Sequence, residues 1–164
     1  MDKQQKNILL ILCAVLVVVL VAVVVVALRV KQPVVGDFVA PSFEQNAQKG
    51  TPQTLPASFG TVTVRDGFKI GMCAAPTIDG LSLGLCFTSP DTNDVWMRVR
   101  ICDKAGNVLG ESGLLKPGEY LESLTLTSAP QATDKLYATI LSYQPDTYYS
   151  QGSVDLELMP YVTQ

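Results

Sequence analysis

Hydrophobic and polar residues follow two different patterns along this chain. Residues 8–28 are apolar without interruption, apart from the weakly polar Cys13. From about residue 60, apolar and polar residues alternate with a period of two, and turn-forming sequences such as "TIDG" and "KPGE" separate the runs. Such alternation is typical of β-strands with one buried and one solvated face. The pattern predicts one apolar helix followed by an all-β domain.

The apolar segment predicts a transmembrane helix. Its twenty-one residues, at about 1.5 Å each, span roughly 31 Å, which matches the hydrocarbon core of a bilayer. In lipid, a single segment satisfies its backbone hydrogen bonds only as a helix. The alternative is a cleaved signal peptide, whose apolar region usually has about 7–15 residues. We favour a single-pass signal-anchor that contacts the lipid bilayer through residues 8–28.

Four regions follow from this division. They are a short cytoplasmic head (1–7), the transmembrane helix (8–28), a Pro-rich spacer (29–59) and an extracytoplasmic β-sandwich domain (60–164). Two lysines precede the helix and two basic residues follow it closely, so the positive-inside rule gives nearly a tie. We place the β-domain outside because the head is very short and a spacer carries the domain.

The β-domain is predicted to be an immunoglobulin-like or fibronectin-like two-sheet sandwich of about seven to eight strands. The predicted strands are 61–64, 68–75, 81–88, 95–102, 108–112, 120–127, 136–143 and 153–159. The alternation assigns one face of three of these strands to the core. Those residues are Leu81, Leu83, Leu85, Phe87, Val95, Met97, Val99, Ile101, Val154, Leu156 and Leu158.

Two cysteines flank an Asp79-Gly80 step in the stretch "MCAAPTIDGLSLGLC". Asp-Gly is a strong signal for a two-residue hairpin turn, and a turn there would place Cys73 opposite Cys86 on the face turned away from the core. The adjacent thiols could form a disulfide or stay unbonded, and both interpretations remain open. No zinc site is expected, because the spacing is unsuitable and the sequence has no histidine.

The residue types that common enzymes need are missing. Without histidine, the usual Ser-His-Asp and Cys-His nucleophilic sites are excluded, and no phosphate-binding or dinucleotide-binding motif occurs. We expect no enzyme activity, no cofactor and no metal. The oxygen-rich stretches "DTND" and "PDTYY" lack EF-hand spacing. An enzyme that uses a carboxylate or thiol nucleophile without histidine is a third hypothesis.

Two groups of residues are candidates for binding. Trp96, Arg98 and Arg100 share the outward face of one strand, where they form a ligand-binding strip or an exposed face in which the arginines cover the indole. Tyr148 and Tyr149 lie on a long connection, which either recognises a partner or closes the end of the sandwich. From residue 60 onwards, twelve acidic side chains outnumber seven basic ones, which argues against a nucleic-acid partner.

Three stretches carry a resemblance to a family. They are "GDFVAPSFEQNAQKGTP", "FTSPDTNDVWMRVRICDKAGNVLGESGLLKPGEYLESLTL" and "YQPDTYYSQGSV". Together they resemble uncharacterised short membrane-anchored β-sandwich proteins of Gram-positive bacteria. The resemblance implies an outward-facing sandwich rather than an activity. It also lowers the expectation of a Cys73–Cys86 bond, since surface proteins of such cells often lack disulfides.

The sequence thus predicts a membrane-anchored, extracytoplasmic, non-catalytic binding or scaffolding protein of the bacterial envelope. Its expected partner is a protein or a cell-wall component, and an accessory role in a surface or secretion assembly fits this layout. The alternative is a carbohydrate-binding module at the cell surface that uses Trp96 and the two tyrosines.

Overall fold

The computed structural model describes residues 5, 16, 38–64, 67–131 and 133–162. From residue 38 onwards, the described residues form an all-β structure without helices. The chain divides into two compact units, Met1–Val39 and Ala40–Gln164, and the strands of the described residues lie in the second unit. The predicted transmembrane helix lies outside the described residues, Leu16 excepted. Within the described part of the chain, no helix is long and apolar enough to cross a membrane.

The described residues contain thirteen short strands. In chain order they are β1 (Gln48–Lys49), β2 (Phe59–Thr63), β3 (Lys69–Cys73), β4 (Thr77–Asp79), β5 (Ser82–Gly84), β6 (Phe87–Ser89), β7 (Trp96–Cys102), β8 (Val108–Glu111), β9 (Glu119–Leu121), β10 (Leu124–Thr125), β11 (Leu136–Tyr143), β12 (Ser150–Leu158) and β13 (Tyr161–Val162). β11 has the predicted bounds, and β7 differs from its predicted range by one residue. Two of the predicted strands, 81–88 and 120–127, are each divided into two.

The strands form three sheets. Their orders are β1-β9-β6-β3-β2, β10-β5-β4-β13 and β12-β11-β7-β8. The first two sheets are connected three times along the chain, because β3 leads into β4, β5 leads into β6 and β9 leads into β10. Among the thirteen described strands, β4 and β13 form the parallel pair, and the other strand pairs are antiparallel. A single cluster of buried apolar side chains receives residues from all three sheets.

The alternation predicted the buried face of β7 correctly. Met97, Val99 and Ile101 are fully buried, whereas Trp96 and the two arginines on the other face are only half-buried. β11 repeats this pattern over its whole length. In β12 the predicted inward residues pack against the core, although only Leu158 is fully buried. Period-two alternation works here because each of these strands has one face on the core.

The predicted hairpin turn is displaced by one residue. β4 and β5 pair Asp79 with Ser82, so Gly80 and Leu81 are the central residues of the turn. Gly80 has a φ of 58°, the left-handed value that a type II′ turn requires at its first central position. The assignment of Leu81 to the core is therefore wrong, because its side chain lies in the turn and is 47% exposed.

The other end of this hairpin keeps the predicted register. Gly71 of β3 pairs with Thr88 of β6, as a turn at Asp79-Gly80 would require. The displaced turn and the unchanged Gly71–Thr88 pair can coexist because the connection from β3 to β4 has more residues than the connection from β5 to β6. The β3–β4 connection bends at residues 74–76, where Pro76 has no backbone N–H to donate to a ladder.

Residues 40–59 belong to the β-unit, although the sequence analysis placed them in the spacer. β1 pairs with β9 at the edge of the first sheet. The backbone N–H of Glu44 donates to the carbonyl of Leu114 at 2.9 Å. Gly113 permits this close approach, because a Cβ atom there would lie 2.5 Å from the Glu44 nitrogen. The predicted boundary at residue 60 therefore lies inside the unit.

Candidate functional site

Three aromatic rings meet at one end of β7. The ring of Trp96 lies 4.8 Å from that of Phe43 and 5.3 Å from that of Tyr148, with interplanar angles of 77° and 65°. These are edge-to-face contacts, a geometry that aromatic quadrupoles favour. The Nζ atom of Lys116 lies 4.4 Å from the centroid of Phe43. We call Phe43, Trp96 and Tyr148 the aromatic cluster.

The loop that joins β11 to β12 supplies Tyr148 and also carries Tyr149. Its ends are closed by a hydrogen bond from the Gln144 N–H to the Tyr149 carbonyl at 2.8 Å, and the Tyr148 N–H donates to the Gln144 carbonyl at 3.0 Å. Asp146 and Tyr148 have φ values of 65° and 59°, which non-glycine residues rarely adopt. We call residues 144–149 the tyrosine loop.

The tyrosine loop separates its two rings. Tyr148 is half-buried against Trp96, whereas Tyr149 is 71% exposed. The sequence offered two interpretations, a recognition loop or a plug, and the two tyrosines differ in burial, so one interpretation does not apply equally to both. The structure thus joins the two candidate binding groups of the sequence analysis through the contact of Trp96 with Tyr148.

Arg98 and Arg100 share one carboxylate. Strand pairing places Arg100 opposite Glu111, whose Oε1 atom lies 2.8 Å from the Arg100 Nη2 atom. The Arg98 guanidinium contacts the same oxygen. Burial lowers the pKa of Arg98, while neighbouring Tyr143 acts in the opposite direction. The two guanidinium groups therefore converge on a single anion.

Sequence reasoning missed three contributors to this surface. Phe43 comes from a stretch without periodicity that was interpreted as spacer, so its position carried no signal. Lys116 lies in a turn between strands. Glu111 could have been found, because an acidic residue at the end of one predicted strand is a natural cross-strand partner for an arginine on the preceding strand.

The cysteine pair is buried, although the alternation assigned it to the face turned away from the core. Cys73 is 0% exposed and Cys86 8%, and both are free thiols. The irregular segment before β2 covers them. The Ser58 side chain interacts with Cys73, and residues Gln53 and Thr54 line a surface cavity together with Cys86. This segment belongs to the predicted spacer, so nothing in the sequence indicated that it covers the face that carries the cysteines.

Burial also controls the reactivity of both thiols. It raises the pKa of Cys73 to about 12, and the negative charge of an ionised Cys86 would act in the same direction. Burial likewise raises the pKa of Cys86, whereas its hydrogen bond with Cys73 lowers it. The thiolate is the reactive form of cysteine, so Cys73 is a poor nucleophile at neutral pH.

The oxygen-rich stretch "DTND" has a structural use. The side chain of Asn93 is 9% exposed and makes hydrogen bonds to both backbone polar groups of Lys69. Among the described residues, no cluster of three or more His, Cys, Asp or Glu side chains could hold a metal ion.

No family model, curated protein or solved structure matches this chain. The resemblance to membrane-anchored proteins of Gram-positive bacteria therefore stays a prediction. The surface formed by the aromatic cluster, the tyrosine loop and the paired arginines is the candidate functional site.

Proposed function

We propose that this chain is a single-pass, membrane-anchored binding or scaffolding protein of the bacterial envelope. Its β-unit is then an extracytoplasmic, non-catalytic sandwich of the immunoglobulin or fibronectin kind. In this description the connected first and second sheets provide one layer, and the third sheet provides the other. The apolar segment 8–28 supports the membrane anchor.

The exposed Tyr149 is the observation that carries the binding role. Its ring is 71% exposed, yet the backbone that presents it is closed by hydrogen bonds and includes two left-handed non-glycine residues. Such conformations cost about 1–3 kcal/mol each and persist only where the surroundings enforce them. Tyrosine is also enriched among the residues that dominate protein interfaces. A fixed, exposed tyrosine is therefore suited to anchor a protein partner.

Charges of both signs border the aromatic cluster. Arg98, Arg100 and Lys116 lie on this side of the unit, together with the carboxylates of Glu111 and Glu119. Glu44 follows Phe43 of the cluster, and its carboxylate accepts a hydrogen bond from Gly113. A protein partner with complementary charges of both signs suits this surface.

Photo-crosslinking of the full chain in its native membrane, in living cells, tests this proposal. A photoreactive amino acid replaces Tyr149 in the full chain, and the matched control carries it at Tyr161, a 45% exposed tyrosine on β13. We expect a discrete protein adduct from position 149 and none from position 161. Equal adducts from both positions, or none from position 149, would contradict the proposal.

A second variant tests whether the adduct at position 149 depends on the aromatic cluster. Trp96 is the only tryptophan in the chain, so its fluorescence reports on the cluster alone. Tyr148→Ala removes the contact between the loop and Trp96, and we expect a red-shifted emission together with a weaker adduct at position 149. The Tyr161→Ala control should change neither signal. An unchanged adduct beside a shifted emission would show that the cluster does not position Tyr149.

Carbohydrate binding is the second candidate, and the half-buried Trp96 beside the exposed Tyr149 favours it. Aromatic rings at a surface suit the apolar faces of sugars. Envelope glycans added to the full chain should then alter the fluorescence of Trp96, and Trp96→Ala should abolish retention on immobilised glycan. Retention that survives this substitution would exclude this site.

A further inference from the structure

Cys73 ends β3, and Cys86 directly precedes β6, the strand beside β3 in the first sheet. The two strands pair at Gly71 and Thr88. The Cys73 N–H donates to the carbonyl of Leu85 at 2.9 Å, which keeps the two chains adjacent at this level. Each cysteine also influences the pKa of the other, as expected for neighbouring side chains. Both residues are therefore fixed side by side before any covalent bond forms.

The backbone at Cys86 is strained in a way that the neighbouring residues enforce. Its φ is 46°, although it is not a glycine. The Cys86 N–H donates to the Glu122 carbonyl at 3.0 Å, and the Thr88 hydroxyl donates to the Cys86 carbonyl at 3.0 Å. These bonds hold the unfavourable backbone conformation of Cys86 in place.

We propose that Cys73 and Cys86 are a disulfide-forming pair, oxidised by thiol–disulfide exchange with an extracytoplasmic oxidoreductase in its disulfide form. The proposal rests on the extracytoplasmic placement argued above, because such exchange is favourable outside the reducing cytosol. The bond would join β3 to β6 at the centre of the first sheet.

Exchange takes place in two steps. The Cys86 thiolate attacks one sulfur of the oxidant, so a mixed disulfide forms and the oxidant's other sulfur leaves as a thiolate. The Cys73 thiolate then attacks the Cys86 sulfur, and the second oxidant thiolate leaves. The two protons lost by the cysteines protonate the two departing thiolates. The cysteines lose two electrons, and the oxidant disulfide becomes a dithiol.

Access decides which cysteine reacts first. Cys86 is 8% exposed and borders a surface cavity that Gln53 and Glu122 also line, whereas Cys73 is fully covered. Cys86 is therefore the cysteine that an oxidant meets, and Cys73 resolves the mixed disulfide. Because burial keeps both thiols protonated, we expect slow exchange in the folded protein and faster exchange when the covering segment opens.

The test uses the purified full chain in detergent, with glutathione buffers of graded oxidised-to-reduced ratio. Free thiols are then trapped with acid and alkylated, and the digest is examined by mass spectrometry. We expect a peptide that links Cys73 to Cys86, and a melting temperature about 10 °C above that of the reduced protein. Half-buried Cys102 provides the control, since Cys102→Ser should leave the link intact.

Alkylation of both cysteines at every ratio, or a link between either of them and Cys102, would overturn the pairing. The same trapping applied to cells separates this proposal from the proposed location. A pair that links in glutathione buffer but is fully reduced in cells supports the chemistry of the pair and contradicts the extracytoplasmic placement. A pair that is linked in both settings supports both.

Discussion

The side chain of Asn93 makes the two backbone hydrogen bonds to Lys69 that a neighbouring strand would otherwise make. Its Oδ1 atom accepts a hydrogen bond from the Lys69 N–H, and its Nδ2 atom donates to the Lys69 carbonyl, both at 2.8 Å. A partner strand in an antiparallel ladder would make the same two bonds. The Nδ2 atom also lies 3.3 Å from the Ser89 hydroxyl. The amide therefore completes the edge of β3 where no strand is available.

Replacing Asn93 by alanine should lower the free energy of unfolding by about 2 kcal/mol, because partly buried backbone groups of Lys69 lose their partners. Asn107→Ala is the matched control. That asparagine also bonds through its side chain, to Asp103 at 2.7 Å, but it is exposed, so we expect about 0.5 kcal/mol. Urea denaturation of both variants measures the difference. Equal losses of unfolding free energy in the two variants would show that the hydrogen bonds to Lys69 contribute no more than the exposed bond to Asp103.

The buried Cys73 thiol should make the reduced protein sensitive to alkaline pH. Its folded pKa is about 12, above the ordinary value of 9.0, chiefly because of burial. Because the pKa is raised on folding, the contribution of the protonated Cys73 thiol to stability is complete below pH 9 and is lost as the pH rises towards 12. Between pH 8 and pH 10, the thiol ionises in the unfolded protein but not in the folded one, which lowers the free energy of unfolding by about 1 kcal/mol.

Comparison with Cys73→Ala isolates this effect from the other groups that titrate in the same range. The stability difference between the wild type and the variant should narrow by about 1 kcal/mol from pH 8 to pH 10. Both proteins are melted in the presence of a phosphine reductant. Parallel pH profiles would show that the Cys73 thiol ionises as readily in the folded protein as in the unfolded one.

At the scale of elements, the sequence predicted the strands whose two faces differ. β7 and β11 have core on one side and half-exposed side chains on the other, so alternation revealed both their limits and their buried residues. The stretch 68–88 was harder, because a bend before Pro76 and the left-handed Cys86 divide what alternation presents as one hairpin. Neither feature changes the hydrophobic pattern.

The segment 40–59 could not have been assigned from its pattern at all. It is held to the unit largely by backbone hydrogen bonds and by single side chains such as Phe43 and Glu44. Contacts of this kind leave no periodicity in the sequence. The aromatic cluster was therefore predicted only in part, since Trp96 and Tyr148 were both candidates but the ring between Trp96 and Lys116 was not.

Gly113→Ala should release this segment. A Cβ atom at Gly113 would meet the backbone of Glu44 at 2.5 Å, so the segment has to move, and we expect a loss of about 2 kcal/mol. Gly60→Ala is the control, because no atom lies within 4 Å of a Cβ atom there. Denaturation gives the stability, and the emission of Trp96 should shift only in the Gly113 variant. A stable Gly113 variant with unchanged emission would refute this account.

At the scale of the whole molecule, the location of the β-unit can be measured through one thiol. Cys102 is the half-buried cysteine among the described residues of the unit, whereas Cys73 and Cys86 are buried. A membrane-impermeant thiol reagent added to intact cells should therefore label Cys102 first. The Cys102→Ser protein serves as the control and should stay unlabelled. Labelling that requires native lysis would place the unit in the cytoplasm and contradict the proposed orientation.

The docking of Phe43 onto Trp96 has a mechanical consequence. In a protein tethered through its N-terminal side, tension from a partner held at Tyr149 enters by the tyrosine loop and leaves at residue 40. The contacts between these points are Tyr148 on Trp96, Trp96 on Phe43, and the hydrogen bonds that Glu44 makes to Gly113 and Leu114. These contacts run beside the covalent route through β11 and β12. Under the proposed function, they would therefore share a pull between partner and anchor with the third sheet.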